Sequence, residues 1–579
     1  MKVNRLCAQG KRFLCLFLVL LLSGLLSGCN LISLLIGPWV YPERTAVSFS
    51  EMTYTRPDVD SYLAQVTSVT NTVKENKIAY KKQLSQLTGI NEGYWNYYKM
   101  YTLAYLRYAI NTNDTFYSEE YIYLSNAQPQ LSQTIENLYV ACSQSEHKNN
   151  FEADYFGTGY LDQYTGGGTI SNQLVALFQQ ERQLIQQYDT LVANPTVAYK
   201  GKTASLQELL ASAILETQRQ DIINAYYTQS NQQLGKIYVE LVKVRMQIAQ
   251  GLGYASYTDY AYENYDRDYT AQMGAEFVVQ VEESLVPLFK RLCLNGYTQH
   301  PTLGRMAWQN VASTVGTAVS RMDPSIKEVY TYMDKYDLYD IAPTAGKVSY
   351  GFTGYIPVYE APFIVMSARQ NQEDLLSFAH EFGHFTDMYL NYGNNSVLDL
   401  SECASQGMEF LMLSYLPQSQ KDLQNLLVEY KMYDTLYVYV LQSAYTAFEQ
   451  EVYALPAGEV TLSKINQIAR KISTRFALQE DDINFKTNWV QIPHFFQEGF
   501  YCISYCVSGD VAFQIYQAEC AQAGSGVDLY LDLIHWNSEQ TFLENLQRVN
   551  LKNPCEKTRV QELAQFLSDY FTQEMSLAA

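Results

Sequence analysis

The chain has 579 residues, a formal net charge of −20 and 47% hydrophobic residues. This length can bury a large core in more than one subdomain. The acidic balance disfavours binding to nucleic acid or to anionic lipid by charge, and it mildly favours neutral or cationic peptides as ligands. Seven cysteines follow residue 29, scattered and odd in number, so they imply no disulfide framework.

Residues 1–28 have the pattern of a targeting segment. Basic residues precede an apolar run from Phe13 to Leu26, which is short for a membrane span. The run ends in Leu-Ser-Gly before Cys29, which is similar to a bacterial lipobox. We therefore expect a lipoprotein signal peptide over 1–28 and a lipid on Cys29. That lipid would hold the protein in the bacterial cell envelope, on the outer side of the cytoplasmic membrane. A retained N-terminal membrane helix is the alternative.

The body of the chain is predicted to be mainly α-helical. Residues 29–50 contain glycine and proline and are interpreted as a tether. Residues 51–195 carry apolar and tyrosine positions at spacings of three and four, which predicts an N-terminal helical domain. Ser205 with Glu208 predicts a helix start just after the boundary. We place the catalytic domain at 196–579.

Residues 343–367 interrupt the helical pattern. Glycines alternate with aromatic residues in a loop, and Ala361 to Ser367 is typical of a strand. The candidate substrate-positioning residues here are Tyr350, Gly351, Gly354, Tyr355, Phe363 and Val365. A small structural hairpin is the alternative interpretation.

The next helix contains His380-Glu381-Phe382-Gly383-His384. A helix places His380 and His384 one turn apart on one face, where two imidazoles can bind one zinc ion. Glu381 lies round the helix from them and can take a proton from a water held on the metal. Asn371 or Asp374 is expected to cap this helix.

A catalytic zinc needs a third protein ligand. After a turn at 391–396, a second helix is predicted from about Asp399 to Leu416, and it carries Glu402. Two antiparallel helices with a short loop can bring Glu402 beside the two histidines. Asp399 and Glu409 lie one turn before and two turns after it, where they can hydrogen-bond the ligand imidazoles. Solvated helix charge is the alternative for both.

The HEFGH and ECASQGME segments together resemble the zinc site of the metallopeptidase family M3, which holds oligoendopeptidase F and thimet oligopeptidase. Residues 245–254 and 489–496 resemble further segments of that family, in the right order. The resemblance implies a mainly α, two-lobed helical fold with a deep central cleft and a small β-sheet beside the zinc site. It also implies one Zn²⁺ per chain and hydrolysis of short unstructured peptides by a metal-activated water.

The resemblance further assigns oxyanion stabilisation to Tyr501, Tyr505 or His494, with the two tyrosines on one face of a helix that starts after Gly499. Ordinary packing is the alternative in a chain with 50 tyrosines. The family resemblance also implies that a peptide pairs with the strand beside the zinc site and that the glycine-rich loop closes over the bound peptide.

The sequence disfavours two other functions. A lipid-anchored peptide-binding protein with the same fold but no catalysis is disfavoured because binding alone needs no general base. A zinc hydrolase with a non-peptide substrate is disfavoured by the strand beside the site.

Overall fold

The structure is a computed structural model. It describes residues 44–164, 172–193, 195–294, 302–348, 350–393, 397–478, 485–538 and 540–578. The signal segment, Cys29 and most of the tether lie outside the described residues. Within the described ranges, no helix combines the length and the apolar character needed to cross a membrane.

Helices dominate, as predicted, and the strands are few and short. The first helices are α1 Val59–Glu75, α2 Tyr80–Ile110, α3 Thr115–Ser143, α4 Lys148–Phe151 and α5 Asn172–Ala193. The hairpin β1 Thr196–Tyr199 and β2 Lys202–Ser205 leads into α6 Leu206–Ser212, α7 Glu216–Gly251, α8 Tyr257–Asn264, α9 Ala271–Ser284, α10 Val286–Leu294, α11 Val311–Val319 and α12 Pro324–Lys335.

The remaining elements follow in the same order. The strands β3 Tyr339–Asp340, β4 Phe352–Ile356 and β5 Ala361–Val365 precede α13 Glu373–Leu390 and α14 Leu398–Tyr415. The last helices are α15 Lys421–Tyr453, α16 Leu462–Arg475, α17 Phe485–Asn488, α18 Pro493–Gln497, α19 Ile503–Ala521, α20 Ser525–Ile534, α21 Phe542–Arg548 and α22 Arg559–Ala578.

Tertiary contacts divide the chain into two compact units. The first takes its residues from the chain before 172, from 302–429 and from 511–551; the second takes 172–301, 430–510 and 552–579. The predicted boundary at 195 between an N-terminal helical domain and a catalytic domain stays a prediction. In the first unit, Ala109 at the end of α2 accepts a hydrogen bond from Val348 at 3.0 Å. The ring of Tyr105 also lies 5.2 Å from that of Phe352 on β4. Such contacts link segments far apart in sequence.

The second unit contains the long helix α7. Helix α5 packs along it, and the β1–β2 hairpin and α6 cover its beginning. Val197, Leu209 and Ile222 form a small buried core there. Ser205 caps α6 by accepting from the amide of Glu208 at 3.1 Å, as the sequence predicts.

The three-stranded sheet of the first unit lies against α13. Its order is β3-β5-β4, with β5 parallel to β3 and antiparallel to β4. Strand β5 is therefore the middle strand, and it carries Phe363 and Val365. This corrects the expectation that those two residues lie on a strand edge open to a peptide, because β5 is hydrogen-bonded on both sides. The edge strands are β3 and β4, and β4 lies in a stretch that the sequence suggested was a loop.

Candidate metal centre

The candidate centre is built on α13 and α14, which pack side by side in the first unit. Gly383 permits this close packing. A Cβ at that position would lie 2.5 Å from Ser405 Cα and closer still to the Ala404 carbonyl oxygen. Any larger residue would push the helices apart. A glycine inside a helix costs up to about 1 kcal/mol against alanine, but here it brings Glu402 beside the histidines.

Three side chains from the two helices converge, and we refer to them as the His–His–Glu group: His380, His384 and Glu402. Their candidate ligand atoms all lie within 4.8 Å of one another. Nε2 of His380 is 3.7 Å from Glu402 Oε2, and Nε2 of His384 is 3.9 Å from Glu402 Oε1. Tetrahedral ligands at about 2.0–2.1 Å from zinc lie about 3.3 Å apart. The observed separations are only slightly wider.

The outer ring nitrogens have partners that orient the imidazoles. Nδ1 of His380 is 2.8 Å from Glu409 Oε1, and Nδ1 of His384 is 3.1 Å from Ser401 Oγ. Because Nδ1 is engaged on each ring, both Nε2 atoms point towards Glu402. Two imidazoles and one carboxylate are a donor set used by catalytic zinc, and such outer partners fix the ligand geometry. The residues present therefore fit a zinc ion.

Burial and charge perturb the titration of this cluster. Burial lowers the pKa of His380, but the hydrogen bond and charge of Glu409, with the charges of Glu402 and Glu381, outweigh it and raise the pKa to about 9. Burial and the neighbouring His380 charge hold the pKa of His384 well below its usual value. Asp399 is also buried, at the start of α14. Its predicted role as a partner of the ligand imidazoles stays a prediction.

Glu381 lies near the three converging ligands but is held by a different partner, Thr353. Burial raises its pKa to about 7, although His380 and the Thr353 hydroxyl act in the opposite direction. The Thr353 hydroxyl on β4 donates to Glu381 Oε2 at 2.7 Å and lies 3.0 Å from the Glu381 carbonyl oxygen. A carboxyl group with a pKa near neutrality suits a general base.

The start of α13 differs from the predicted cap. Gln372 occupies the N-cap position without a side-chain hydrogen bond. Asp374 instead accepts from the amides of Arg369 and Gln370 at 2.8 Å each, and Asn371 accepts from Glu373 N at 3.0 Å. Asp374 thus fixes the turn that joins β5 to the helix.

His494, Tyr501 and Tyr505 belong to the second unit, and we call them the His494 cluster. The rings of His494 and Tyr501 are stacked, with centroids 5.0 Å apart and planes 6° apart. The Tyr505 ring lies 5.7 Å from His494 and 5.3 Å from Tyr501. Helix α19 begins at Ile503, so Tyr501 precedes it, whereas the sequence suggested that both tyrosines lie within it. The structure nevertheless brings all three rings together.

Two family models match the chain. The peptidase M3 N-terminal domain matches residues 49–163, and peptidase family M3 matches residues 331–564. Together they cover more than half of the chain. The chain belongs to peptidase family M3. Membership supports a metallopeptidase function. Among curated proteins, none matches this M3 chain in sequence.

Solved structures share the fold of this M3 chain. PZ peptidase A, determined with an inhibitor, has 24% sequence identity and a TM-score of 0.76, over 91% of this chain and 99% of its own. A protein assigned as oligoendopeptidase F has 23% identity and a TM-score of 0.75, over 91% and 98%. An assigned oligoendopeptidase F from Bacillus anthracis strain Ames has 22% identity and a TM-score of 0.72, over 91% and 99%.

The predicted substrate-positioning residues of this M3 chain lie in different surroundings. Gly351 is next to the base, since a Cβ there would lie 3.1 Å from Glu381 Oε1. Gly354 is buried on β4 against Leu106, and the Tyr355 hydroxyl donates to Glu360 within the β4–β5 hairpin. Tyr350 is exposed, with its hydroxyl 3.4 Å from that of Tyr105. Gly351 and Tyr350 therefore fit a substrate role better than Tyr355.

Sequence reasoning missed three residues of this M3 site. One is Ser405, whose hydroxyl donates to Glu402 Oε2 at 3.1 Å. Thr353 binds the base, and Ser401 binds a ligand imidazole. The role of Ser401 could have been predicted from the sequence, because Ser401 directly precedes Glu402. The role of Thr353 could not, because it depends on how β4 lies against α13.

Proposed function

We propose that the protein is a zinc-dependent oligoendopeptidase that hydrolyses short, unstructured peptides. One observation carries the proposal: the inward ring nitrogens of His380 and His384 converge with Glu402, while the carboxyl of Glu381 is held beside them by Thr353. Three protein ligands leave one position open for water or substrate, which is the arrangement of a catalytic zinc site. Membership of family M3 supports the same chemistry.

In this proposal, different residues bind the metal and transfer the proton. Bound zinc supplies Lewis acidity and lowers the pKa of water to ~7. Glu381 accepts the proton of the attacking water and delivers it to the leaving nitrogen. Thr353 donates to Oε2, and the other oxygen, Oε1, is the one beside Gly351. We therefore assign the transfer to Oε1. The His494 cluster is proposed to donate hydrogen bonds to the oxyanion.

Substrate binding is proposed to use the β4 edge. Backbone pairing at a sheet edge recognises an extended chain without contacting its side chains specifically. Strand β4 begins directly after Gly351 and carries Thr353. A peptide on this edge would lie next to Glu381. A narrow cleft that excludes folded proteins is part of the proposal, as the family resemblance implies.

Membrane attachment is a separate part of the proposal. A lipid on Cys29 would hold the enzyme on the outer side of the cytoplasmic membrane, where it would meet peptides in the cell envelope. The motivation is the basic and apolar order of residues 1–28 and the Leu-Ser-Gly-Cys sequence at its end.

The test compares hydrolysis of internally quenched peptides by protein lacking residues 1–28, with and without chelator, and after zinc is added back. We expect zinc to restore activity. Glu381→Gln keeps the shape of the side chain and touches no zinc ligand, so it should lower kcat by about 10²–10⁴-fold with zinc content unchanged. If zinc-loaded parent protein cleaves no peptide of any length but binds one, the alternative of a catalytically silent peptide-binding protein is correct.

A further inference from the structure

The turn that carries the His494 cluster contains a strained residue. Phe500 has a φ of 65°, in the left-handed region that residues other than glycine rarely adopt. Its ring is fully buried, so a side chain is retained there despite the strain. A backbone in this state persists only where its surroundings hold it, and such residues concentrate at functional sites.

Two buried charged side chains hold the backbone of Phe500. Its amide donates to both carboxylate oxygens of Glu449, at 3.0 and 3.1 Å. Its carbonyl accepts from Arg267 Nη2 at 2.8 Å, and the same nitrogen lies 2.7 Å from Ser504 Oγ. Both backbone groups of the strained residue are therefore bound by buried charged side chains.

The other end of the turn is also fixed. Arg245, fully buried on α7, donates to the carbonyls of Phe495 and Phe496 at 2.8 and 2.6 Å. Its Nε also donates to Glu181 at 2.7 Å. These carbonyls lie on α18, directly after His494. The chain between His494 and Tyr501 is thus held at both ends.

We propose that Glu449 and Arg267 are positioning residues for peptide hydrolysis: by holding Phe500 in the left-handed conformation, they turn Tyr501 onto His494. The proposal rests on the proposed function through the donor role of the His494 cluster. The direction of the Tyr501 side chain follows from the φ of the preceding residue. If Phe500 relaxed to a negative φ, the next peptide plane would turn over and the stack with His494 would be lost.

The hydrogen bond to Phe500 does not require a charged acceptor. Burial raises the pKa of Glu449 to about 8, although the Phe500 amide, Arg245 and Arg267 act in the opposite direction. A neutral amide oxygen can accept from the same backbone N–H. Glu449→Gln is therefore the conservative variant, and Glu449→Leu removes the acceptor at similar volume.

The kinetic experiment compares these two variants with the parent on a quenched peptide. We expect Glu449→Leu to lower kcat by about 10²-fold, as small misplacements of catalytic groups do, with KM and zinc content little changed. Glu449→Gln should retain most of the parent kcat. Glu282→Leu is the matched control: it removes a carboxylate of the same unit whose partner is Arg475, and it should leave kcat unchanged.

A second measurement reports geometry without activity. The chain has only six histidines, so ¹³Cε1-labelled histidine gives a simple NMR spectrum in which His494→Gln identifies the His494 signal. Ring-current shifts depend on the stacked Tyr501 ring. We expect Glu449→Leu to move the His494 signal in the same direction as Tyr501→Leu does, and Glu449→Gln to leave it in place.

The outcomes separate the two proposals. The positioning role is wrong if the His494 signal does not move in Glu449→Leu. It is also wrong if Glu449→Leu keeps the parent kcat, or if Glu449→Gln lowers kcat as much as Glu449→Leu does. A parent that cleaves no peptide overturns the proposed function instead, and the NMR result then decides alone whether Glu449 sets the stack.

Discussion

At the scale of single residues, the candidate centre depends on side chains that hold other side chains. Glu409 and Ser401 orient the two imidazoles, and Thr353 orients the base. None of these three is a proposed ligand or base. Each nevertheless fixes one rotamer at the site, which is how outer partners tune a metal centre.

Thr353 gives a direct prediction for catalysis. Thr353→Val keeps the branched shape on β4 but removes the hydroxyl that binds Glu381. Hydrogen bonds to charged groups are worth about 1.5–3 kcal/mol, so we expect kcat to fall by about 10–100-fold. Thr353→Ser should restore most of the rate. Steady-state kinetics with zinc analysis checks this; a normal kcat in the valine variant would show that Glu381 needs no such support.

Glu402 and Glu409 are predicted to affect zinc to different degrees. Glu402→Ala removes a proposed ligand and should abolish stable zinc binding. Glu409→Ala leaves all three proposed ligands but frees His380 Nδ1, and loss of such an outer partner lowers metal affinity by about 10–100-fold. Zinc content after dialysis against chelators of graded strength measures both. Equal retention of zinc by the parent and Glu402→Ala would exclude Glu402 as a ligand.

At the scale of elements, the contact between α13 and α14 sets the spacing of the ligands. Those helices lie close because position 383 has no side chain, and both ligand segments are buried by the same contact. The sheet contributes from the other side, because β4 lies against α13 and supplies Thr353. The geometry of the site therefore depends on how α13, α14 and β4 pack together.

Gly383→Ala tests this contact. The added methyl would meet the backbone of α14, which cannot move as a flexible side chain can, so we expect a loss of about 3 kcal/mol or more in folding free energy, together with lost zinc binding. Gly89→Ala is the control, because nothing lies within 4 Å of a Cβ there, in the helix α2. It should be neutral or stabilising by up to about 1 kcal/mol. Urea unfolding followed by circular dichroism compares the two.

At the scale of the whole molecule, the chain divides into two units, each built from three separate segments. The His–His–Glu group and Glu381 belong to the first unit. The His494 cluster, Glu449 and Arg267 belong to the second. Each unit is completed only after most of the chain has been synthesised, because each includes residues beyond 510.

The predicted lipid anchor is also a property of the whole molecule. We expect membrane-extracted protein to lack residues 1–28 and to carry a lipid on Cys29, because a basic start, an apolar run and Leu-Ser-Gly-Cys occur in that order. Intact-mass spectrometry measures this, and Cys29→Ser should release the protein from the membrane fraction. An unmodified Met1, or Cys29 without lipid, would exclude the anchor.

The sequence alone was enough to predict the helical fold and the family. It also indicated the three proposed ligands and the base, because the spacing His-Glu-x-x-His fixes one helix face and Glu402 follows one short turn later. These features are local: each depends on residues within one helix or on two neighbouring helices. The same is true of the Ser205 cap.

The tertiary structure decided what depends on distant contacts. It placed β5 in the middle of the sheet, so Phe363 and Val365 do not lie on an edge strand. It also brought Thr353 to Glu381, and Glu449 to Phe500 across 51 positions. Such pairs leave no periodic signal in the sequence, because strand order and the approach of one element to another are set by packing across the whole unit.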